Sequence, residues 1–313
     1  MARCLVLLNP RAGALKDLER APGPQTAAER IAEAFAAAGK QVDIRMVPPR
    51  DLDAALDAIA RDDSHDEVIV GGGDGSVSRS LGRLLALRKT FGVLPLGTVN
   101  LLARDLGVPQ PLEAAIAALA HAEPRRIDLA SVNGRPFHSI SGLGFFAQMA
   151  RAREAARGNH GLGRYLGFAI AAFRAFFRSG RSRYELVIDG QARRVDDTDV
   201  LVTNNAFDDR SWLRPRLDGG EIEVVVAHAG GMRERLRLAI DVMTGGWRDN
   251  PLIEAFRAHE AVVTKLRRRR VWVATDGELS RETCPLRYEA LPAAAIVMRP
   301  IVPLGAPADA PAA

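Results

Sequence analysis

Three segments of the chain combine glycine with side chains suited to holding a phosphate. The densest is Gly71-Gly72-Gly73-Asp74-Gly75-Ser76. It follows a short apolar run and precedes an amphipathic one. Glycine lets the backbone approach a ligand closely and adopt positive φ. The N–H groups of such a turn, and of the helix it opens, face an anion. No Gly-Lys-Ser/Thr follows, so the segment is not a Walker loop. The spacing also fails the dinucleotide fingerprint, which needs GxGxxG and an acid ~20 residues on. A tight strand–helix turn would need one or two glycines, and here four surround a carboxylate. Asn9-Pro10-Arg11-Ala12-Gly13 and Leu96-Gly97-Thr98-Val99-Asn100 are further Gly-bearing polar loops. Thr98 can donate a hydroxyl hydrogen bond to a phosphate. Asn100 stands where it could cap the next helix, which would by itself explain it.

A fourth segment, Thr275-Asp276-Gly277-Glu278, brings two carboxylates to the end of a β-rich run. Two readings stand: an Asp-Gly hairpin turn, or acids that bind a cation or move a proton.

The elements around these segments set their positions. Cys4 to Asn9 is a compact apolar run, as a parallel strand buried on both faces requires. Thr26-Ala27-Ala28-Glu29 has the form of a capping box and opens a helix that stops at Gly39. A strand over 41–47, a helix over 51–61, a strand over 67–70, a helix over 76–87 and a strand over 91–94 follow. Alternating strands and helices imply a parallel sheet with covering helices, whose strand ends bind ligands. The three Gly-bearing loops all follow such strands, so they are expected to converge. After about residue 125 the texture turns antiparallel. Asn133-Gly134 separates runs at 126–132 and 136–141, and Asp189-Gly190 separates runs at 184–188 and 191–195. Further β-rich runs fall at 200–203, 222–228 and 271–275, with helices near 165–177 and 233–243. The Pro/Ala-rich tail over 305–313 reads as disordered.

Composition narrows the class. The 313 residues are 47% hydrophobic and 26% charged, which suits a globular chain long enough for two domains. No run approaches ~18 uncharged apolar residues, so no spanning helix is expected, and Met1–Asn9 lacks the form of a secretory signal. Two cysteines and six histidines without ligand spacing point away from a disulfide framework or a zinc site. The formal net charge is +5, and eight arginines with a single acid, Glu154, lie between Arg151 and Arg183. Interleaved with Tyr165, Phe168 and the run Phe173–Phe177, they fit an anionic membrane surface or an ordinary solvated helix. No nucleic-acid motif accompanies them.

At these motifs the chain resembles the diacylglycerol kinase catalytic-domain superfamily, specifically the soluble bacterial lipid kinases related to sphingosine kinases. The matching residues are Asn9-Pro10-Arg11-Ala12-Gly13, Gly72-Gly73-Asp74-Gly75, Pro95-Leu96-Gly97-Thr98-Val99-Asn100 and Asp276-Gly277-Glu278. The glycine motif alone is shared with NAD kinases and phosphofructokinase-like folds. The resemblance implies an α/β nucleotide domain over 1–125, completed by about 287–302. It also implies a C-terminal antiparallel β-sandwich over 126–286 for the lipid acceptor, with a cleft between the two and a tail over 303–313. It implies ATP and Mg²⁺ as cofactors. Asn9, Gly13, Gly71 to Ser76, Gly97, Thr98 and Asn100 would face the nucleotide. Glu278 would be the general base, with Asp276 and Asp74 supporting catalysis.

Departures are visible. Asn100 is followed by Leu101-Leu102-Ala103-Arg104. Where relatives carry Asp-Asp-Gly at a structural Mg²⁺ site, this chain has Asp218-Gly219-Gly220, so either that site is lost or Asp218 serves as its ligand. The implied function is ATP-dependent phosphorylation of a lipid hydroxyl, with diacylglycerol as the default acceptor and phosphatidylglycerol or a sphingoid base as alternatives. A kinase of a soluble acceptor and a non-catalytic nucleotide- or lipid-binding regulator are the competing readings. The implied location is cytoplasmic, peripheral at the inner membrane surface, and a homodimer is left open.

Overall fold

The structure is a computed structural model that describes residues 2–13, 15, 25–61, 64–144, 147–148, 150–151, 182–208, 213–228 and 232–301. Most of the arginine-rich stretch, with Arg164, Arg174, Arg178 and the helix expected over 165–177, lies outside these residues, as does the 305–313 tail. Two compact units divide the chain, one of residues 1–126 with 296–313, the other of residues 127–295.

In the first unit, β1 (Arg3–Leu8), α1 (Ala27–Ala37), β2 (Gln41–Met46), α2 (Leu52–Ile59), β3 (Glu67–Gly72), α3 (Asp74–Ala86), β4 (Thr90–Pro95), α4 (Leu101–Asp105) and α5 (Leu112–Ala120) follow in order. The strands run parallel in the order β2-β1-β3-β4. Leu5 to Leu8 of β1 and Val68 to Val70 of β3 are buried, as strands covered on both faces must be. The capping box is present. Thr26 Oγ1 accepts from the Glu29 N–H at 3.2 Å, and the Glu29 carboxylate accepts from the Thr26 N–H at 2.7 Å.

In the second unit, β5 (Glu123–Val132, entering from the first), β6 (Arg135–Phe137), β7 (Ile140–Gly142), β8 (Ser182–Ile188), β9 (Gln191–Asn204), β10 (Ile222–His228), α6 (Met232–Thr244), β11 (Ile253–Ala258), β12 (Glu260–Lys265), β13 (Arg270–Thr275), β14 (Glu278–Thr283) and β15 (Leu286–Arg299) pair antiparallel. Their inward faces enclose a core that includes Phe137, Tyr184, Val202, Val224, Val273 and Tyr288. The end of β15 returns to the first unit, where Val297 pairs in parallel with Phe91.

Three Asx-Gly pairs form two-residue hairpin turns with both φ angles positive. They are Asn133-Gly134 (50° and 77°), Asp189-Gly190 (44° and 79°) and Asp276-Gly277 (48° and 79°). This primed geometry matches the twist of the flanking strands. In this unit β11, β12 and β14 are not among the runs read from sequence, and those runs are divided differently at two points. The runs at 191–195 and 200–203 are one strand, β9, whose first half pairs β8 and whose second half pairs β7 and β10. The run at 136–141 is two strands, because the N–H groups of 138–140 turn to a carboxylate instead of a neighbouring strand.

Both cysteines are free thiols, Cys4 fully buried and Cys284 partly so. Burial, reinforced by the nearby Glu67 carboxylate, pushes the Cys4 thiol up to about 12. A thiol reagent at mildly alkaline pH should therefore modify Cys284 in the native protein and reach Cys4 only after denaturation, as peptide mapping would show. Native labelling of Cys4 at a rate equal to Cys284 would contradict the buried β1.

Candidate functional site

The glycine loop is built by crowding rather than by unusual dihedrals. Gly71 and Gly72 still belong to β3, Gly73 is the N-cap of α3 at φ −93°, and none of Gly71 to Gly75 has positive φ, contrary to the expectation from sequence. A Cβ on Gly71 would lie 2.7 Å from the Leu8 side chain, and one on Gly72 would lie 2.8 Å from Ser76 Cβ. A Cβ on Gly97 would lie 2.6 Å from Gly73 Cα and 2.7 Å from Asn100 Oδ1. Two loops thus press backbone against backbone, a contact that only glycine permits. Helix α3 also begins two residues earlier than expected, so Asp74 lies in its first turn.

Asp74 locks this arrangement. Its Oδ2 accepts from the Asn100 N–H at 2.9 Å and its Oδ1 from the Leu101 N–H at 2.6 Å. The carboxylate thereby occupies the start of α4, the place expected of Asn100. Asn100 itself is left-handed (φ 54°, ψ 49°) and makes no capping bond. Its side chain closes the loop instead. Oδ1 accepts from the Gly97 N–H at 2.9 Å, and Nδ2 donates to the Gly97 carbonyl at 2.9 Å and to Gln110 Oε1 at 3.1 Å. The Asn9 loop joins them. Asn9 N–H donates to the Gly71 carbonyl at 3.0 Å, and Asn9 Oδ1 accepts from the Arg11 N–H at 2.9 Å. The Leu96 N–H donates to the Gly72 carbonyl at 3.1 Å. The three loops are therefore brought together at one end of the parallel sheet, with Gly97, Thr98 and Val99 exposed and Gly73 to Ser76 half-buried. Gly13 is exposed, and a Cβ there would meet nothing within 4 Å.

This setting suits a polyphosphate. A 13-residue helix points its N-terminus at a glycine-lined surface, and the first N–H groups of any helix lack intrahelical acceptors. For Mg²⁺ the donor set is thin. The described residues contain no group of three or more His, Cys, Asp and Glu side chains, and both Asp74 oxygens already accept backbone N–H groups. That fits an ion delivered with nucleotide phosphates, of which Mg²⁺ commonly takes one or two carboxylates and keeps waters, and not one caged by protein.

In the second unit, Asp276 is the first residue of the β13–β14 turn and Glu278 follows it, with Thr275 opposite Glu278 in register. Their environments diverge. Asp276 is 2% exposed. Its Oδ2 accepts from the His138 N–H at 2.8 Å, and its Oδ1 accepts from the Ser139 and Ile140 N–H groups at 2.9 and 3.0 Å. His138 Nε2 lies 3.5 Å from Oδ2. Asp276 therefore ties the turn to residues 138–140. Glu278 is half-buried, and its side chain has no hydrogen bond or ion pair among the described residues. The hairpin reading holds, since Asp276 and Gly277 form the turn between β13 and β14.

Asp218 is exposed and pairs with Arg216 at 3.5 Å, and the described residues place no carboxylate cluster around it, so they do not fit a metal there. The loop is held by polar groups that the sequence did not single out. Asp128 accepts from the Gly220 N–H at 2.6 Å and the Ala293 N–H at 2.8 Å, and Asn205 Oδ1 accepts from the Gly219 N–H at 3.0 Å. A Cβ on Gly219 would fall 2.5 Å from Asn205 Oδ1, so a second aspartate at that position would displace Asn205. Asp128, His138 and Asn205 carried no sequence signal beyond being polar residues within or beside β-rich runs.

Residues 3–132 match the family model of the diacylglycerol kinase catalytic domain, and residues 142–299 match that of the YegS C-terminal NAD kinase β sandwich-like domain. The chain belongs to the diacylglycerol kinase catalytic-domain superfamily. A probable lipid kinase YegS-like protein of Chromohalobacter salexigens is 36% identical over 92 residues, which cover 28% of this chain and 30% of that protein. One from Pseudomonas syringae pv. syringae is 34% identical over 133 residues, 41% of this chain and 43% of its own. These matches span less than half the length of either relative. A diacylglycerol kinase of Mycobacterium tuberculosis is 28% identical over 247 residues, 75% of this chain and 77% of that one. Two crystal structures from Bacillus anthracis, assigned as diacylglycerol kinases, share the fold. They have TM-scores of 0.72 and 0.66 at 21% and 19% identity, and each covers 95% of this chain, with 97% and 96% of their own lengths. In this superfamily member no helix among the described residues is long and apolar enough to cross a membrane.

The Gly73–Gly97 contact makes a sharp prediction. Gly97→Ala should cost about 1–3 kcal/mol by overpacking two backbones, and it should weaken nucleotide binding measured by calorimetry. Gly13→Ala should change neither. In the second unit, Asp276→Asn leaves one of three N–H groups facing an NH₂. It should lower stability by about 1–3 kcal/mol, read as a reduced denaturant midpoint at unchanged slope.

Proposed function

We propose that this protein is an ATP-dependent lipid kinase that transfers the γ-phosphoryl group to a lipid hydroxyl, with diacylglycerol the first acceptor to test. The observation that supports it most directly is the locked glycine site of the first unit. The Asp74 carboxylate and the Asn100 side chain hold the Gly73 and Gly97 backbones together beside the N-terminus of α3. Phosphoryl transfer asks a protein chiefly for positioning and charge stabilisation, and a rigid set of backbone N–H groups supplies both without reorganisation. Bound Mg²⁺ would add screening of the β- and γ-phosphate charge. Thr98, exposed on the same rim, would donate its hydroxyl to the nucleotide.

Glu278 would take the proton of the acceptor hydroxyl. A neutral alcohol is a poor nucleophile, and a carboxylate free of internal partners can accept that proton. Asp276 holds the Glu278 turn in place through its three backbone contacts and stays out of the proton transfer. The acceptor's acyl chains would be recognised by apolar surface, which discriminates weakly between related lipids.

Incubation with γ-labelled ATP, Mg²⁺ and a mixed lipid extract should place label in a lipid, and chromatography of that product identifies the acceptor. Glu278→Gln keeps the shape and removes the base, so kcat should fall by roughly 10²–10⁴-fold while the Kd for ATP stays within error. Label appearing only in a soluble acceptor would overturn the lipid assignment. Full turnover by Glu278→Gln would remove the general base, and wild-type ATP binding without label in any acceptor would leave a nucleotide-binding regulator.

A further inference from the structure

The turn between β12 and β13 carries four consecutive arginines, Arg267-Arg268-Arg269-Arg270, and all four are exposed. None has an ion-pair partner among the described residues. The turn is held by backbone. Arg267 is left-handed at φ 62°, the Leu266 N–H donates to the Arg183 carbonyl at 3.0 Å, and the Cys284 N–H donates to the Arg269 carbonyl at 2.9 Å. Four like charges therefore sit side by side on a fixed support, an arrangement that disfavours the free protein unless counter-charge is nearby.

The strand that leaves this turn adds an aromatic. Along β13, Arg270 and Trp272 are exposed while Val271 and Val273 are buried, so the arginine and the indole share the solvent face. Trp272 is 40% exposed. Arg281, its cross-strand partner on β14, is also exposed. The Arg151 guanidinium covers the Trp272 ring at 5.1 Å. Beside the indole lies a pocket of about 160 Å³ whose lining includes Arg151, Ser182, Tyr184 and Lys265, with Asp199 packed against Gly144 at its wall. Burial and the neighbouring Arg268 hold the Lys265 ammonium below its usual range.

An indole set among arginines is the composition of a membrane–water interface. The ring seats at the level of the head groups, and the guanidinium groups meet anionic lipid phosphates. We propose that this face of the β12–β13–β14 hairpins docks on an anionic lipid bilayer, with Trp272 entering the head-group layer and Arg267 to Arg270, Arg281 and Arg151 pairing with lipid phosphates. The adjoining pocket, lined by Lys265, Arg151 and Ser182, offers room for one phosphate-bearing head group. The proposal rests on the lipid-kinase reading for its purpose and on the charge and aromatic pattern for its location. It puts the docking surface on described residues of the second unit rather than on the arginines of the 152–181 stretch.

Sedimentation of the full chain with phosphatidylcholine vesicles, with and without a minority of phosphatidylglycerol, tests it. Wild type should bind the mixed vesicles, bind neutral ones little, and lose affinity as salt rises. Replacing Arg267, Arg268, Arg269 and Arg270 together by Ser should lower partitioning on mixed vesicles by roughly 100- to 1000-fold, with an unchanged melting transition. Trp272→Ala should weaken binding less and leave a steeper relative dependence on salt. The quadruple variant should keep wild-type activity on lipid dispersed in detergent micelles, because its changes are outside the catalytic machinery. Undiminished vesicle binding by that variant, equal binding of neutral and anionic vesicles, or tighter binding of duplex DNA or RNA than of vesicles would overturn the proposal. Loss of micellar activity in a normally melting variant would also overturn it, by placing the arginines in the reaction. Intact, arginine-dependent vesicle binding with no labelled lipid would uphold the docking surface and reject the kinase reading.

Discussion

The site in the first unit depends on one aspartate. A loop that ends a parallel strand leaves its backbone N–H groups without partners, and each such group must find an acceptor or water. Asp74 gives one oxygen to Asn100 and the other to Leu101, so a residue in the first turn of one helix fixes the entrance to another. With that bond in place, Gly97 can lie against Gly73, and Asn100 can close its own loop through Gly97. Without it, the Leu96–Asn100 loop would be held to the glycine loop mainly by the Leu96–Gly72 backbone bond.

The same device recurs in the second unit. Asp276 gathers three N–H groups from residues 138–140, Asp128 gathers those of Gly220 and Ala293, and Asp189 gathers those of His259 and Glu260. Bonds to a charged acceptor are roughly twice as strong as neutral ones. The backbone bonds from Glu260 and His259 accordingly hold the Asp189 carboxyl below its usual range. Each of these carboxylates joins segments far apart in sequence, which gives loops the rigidity that strands obtain from ladder pairing. Aspartate is short enough to do this without the rotamer entropy of a longer acid. Asp74 and Asp276 act as such clamps, whereas the Glu278 side chain has no partner among the described residues.

Charge is divided by the same logic. Asp74, Asp128 and Asp276 accept from backbone N–H groups, whereas the buried Glu223 and Glu67 pair with Arg248 and Lys40. Among the described residues, Arg267 to Arg270 have no carboxylate partners, on a turn that backbone bonds hold in place.

Much of the fold was legible because its signals are local. Apolar runs marked β1, β3 and β4, the Thr26–Glu29 box marked a helix start, and the Asn133-Gly134 and Asp189-Gly190 pairs marked hairpins, since a primed turn depends on two adjacent residues; Asp276-Gly277 was legible as one of two readings. The glycines around Asp74 were likewise visible as a place where backbone must come close. What they come close to was not, because the partner of Gly73 is Gly97, twenty-four positions away. Sequence alone therefore suggested positive φ where the structure uses lateral contact. The split of Pro136–Ser141 into two strands, the merging of two runs into β9, and the roles of Asp128, His138 and Asn205 follow from acceptors supplied by remote segments. So does the difference between Asp276 and Glu278. Adjacent types and periods determine which element forms, whereas burial and hydrogen-bond partners depend on which distant strands become neighbours, and only the tertiary structure decides that.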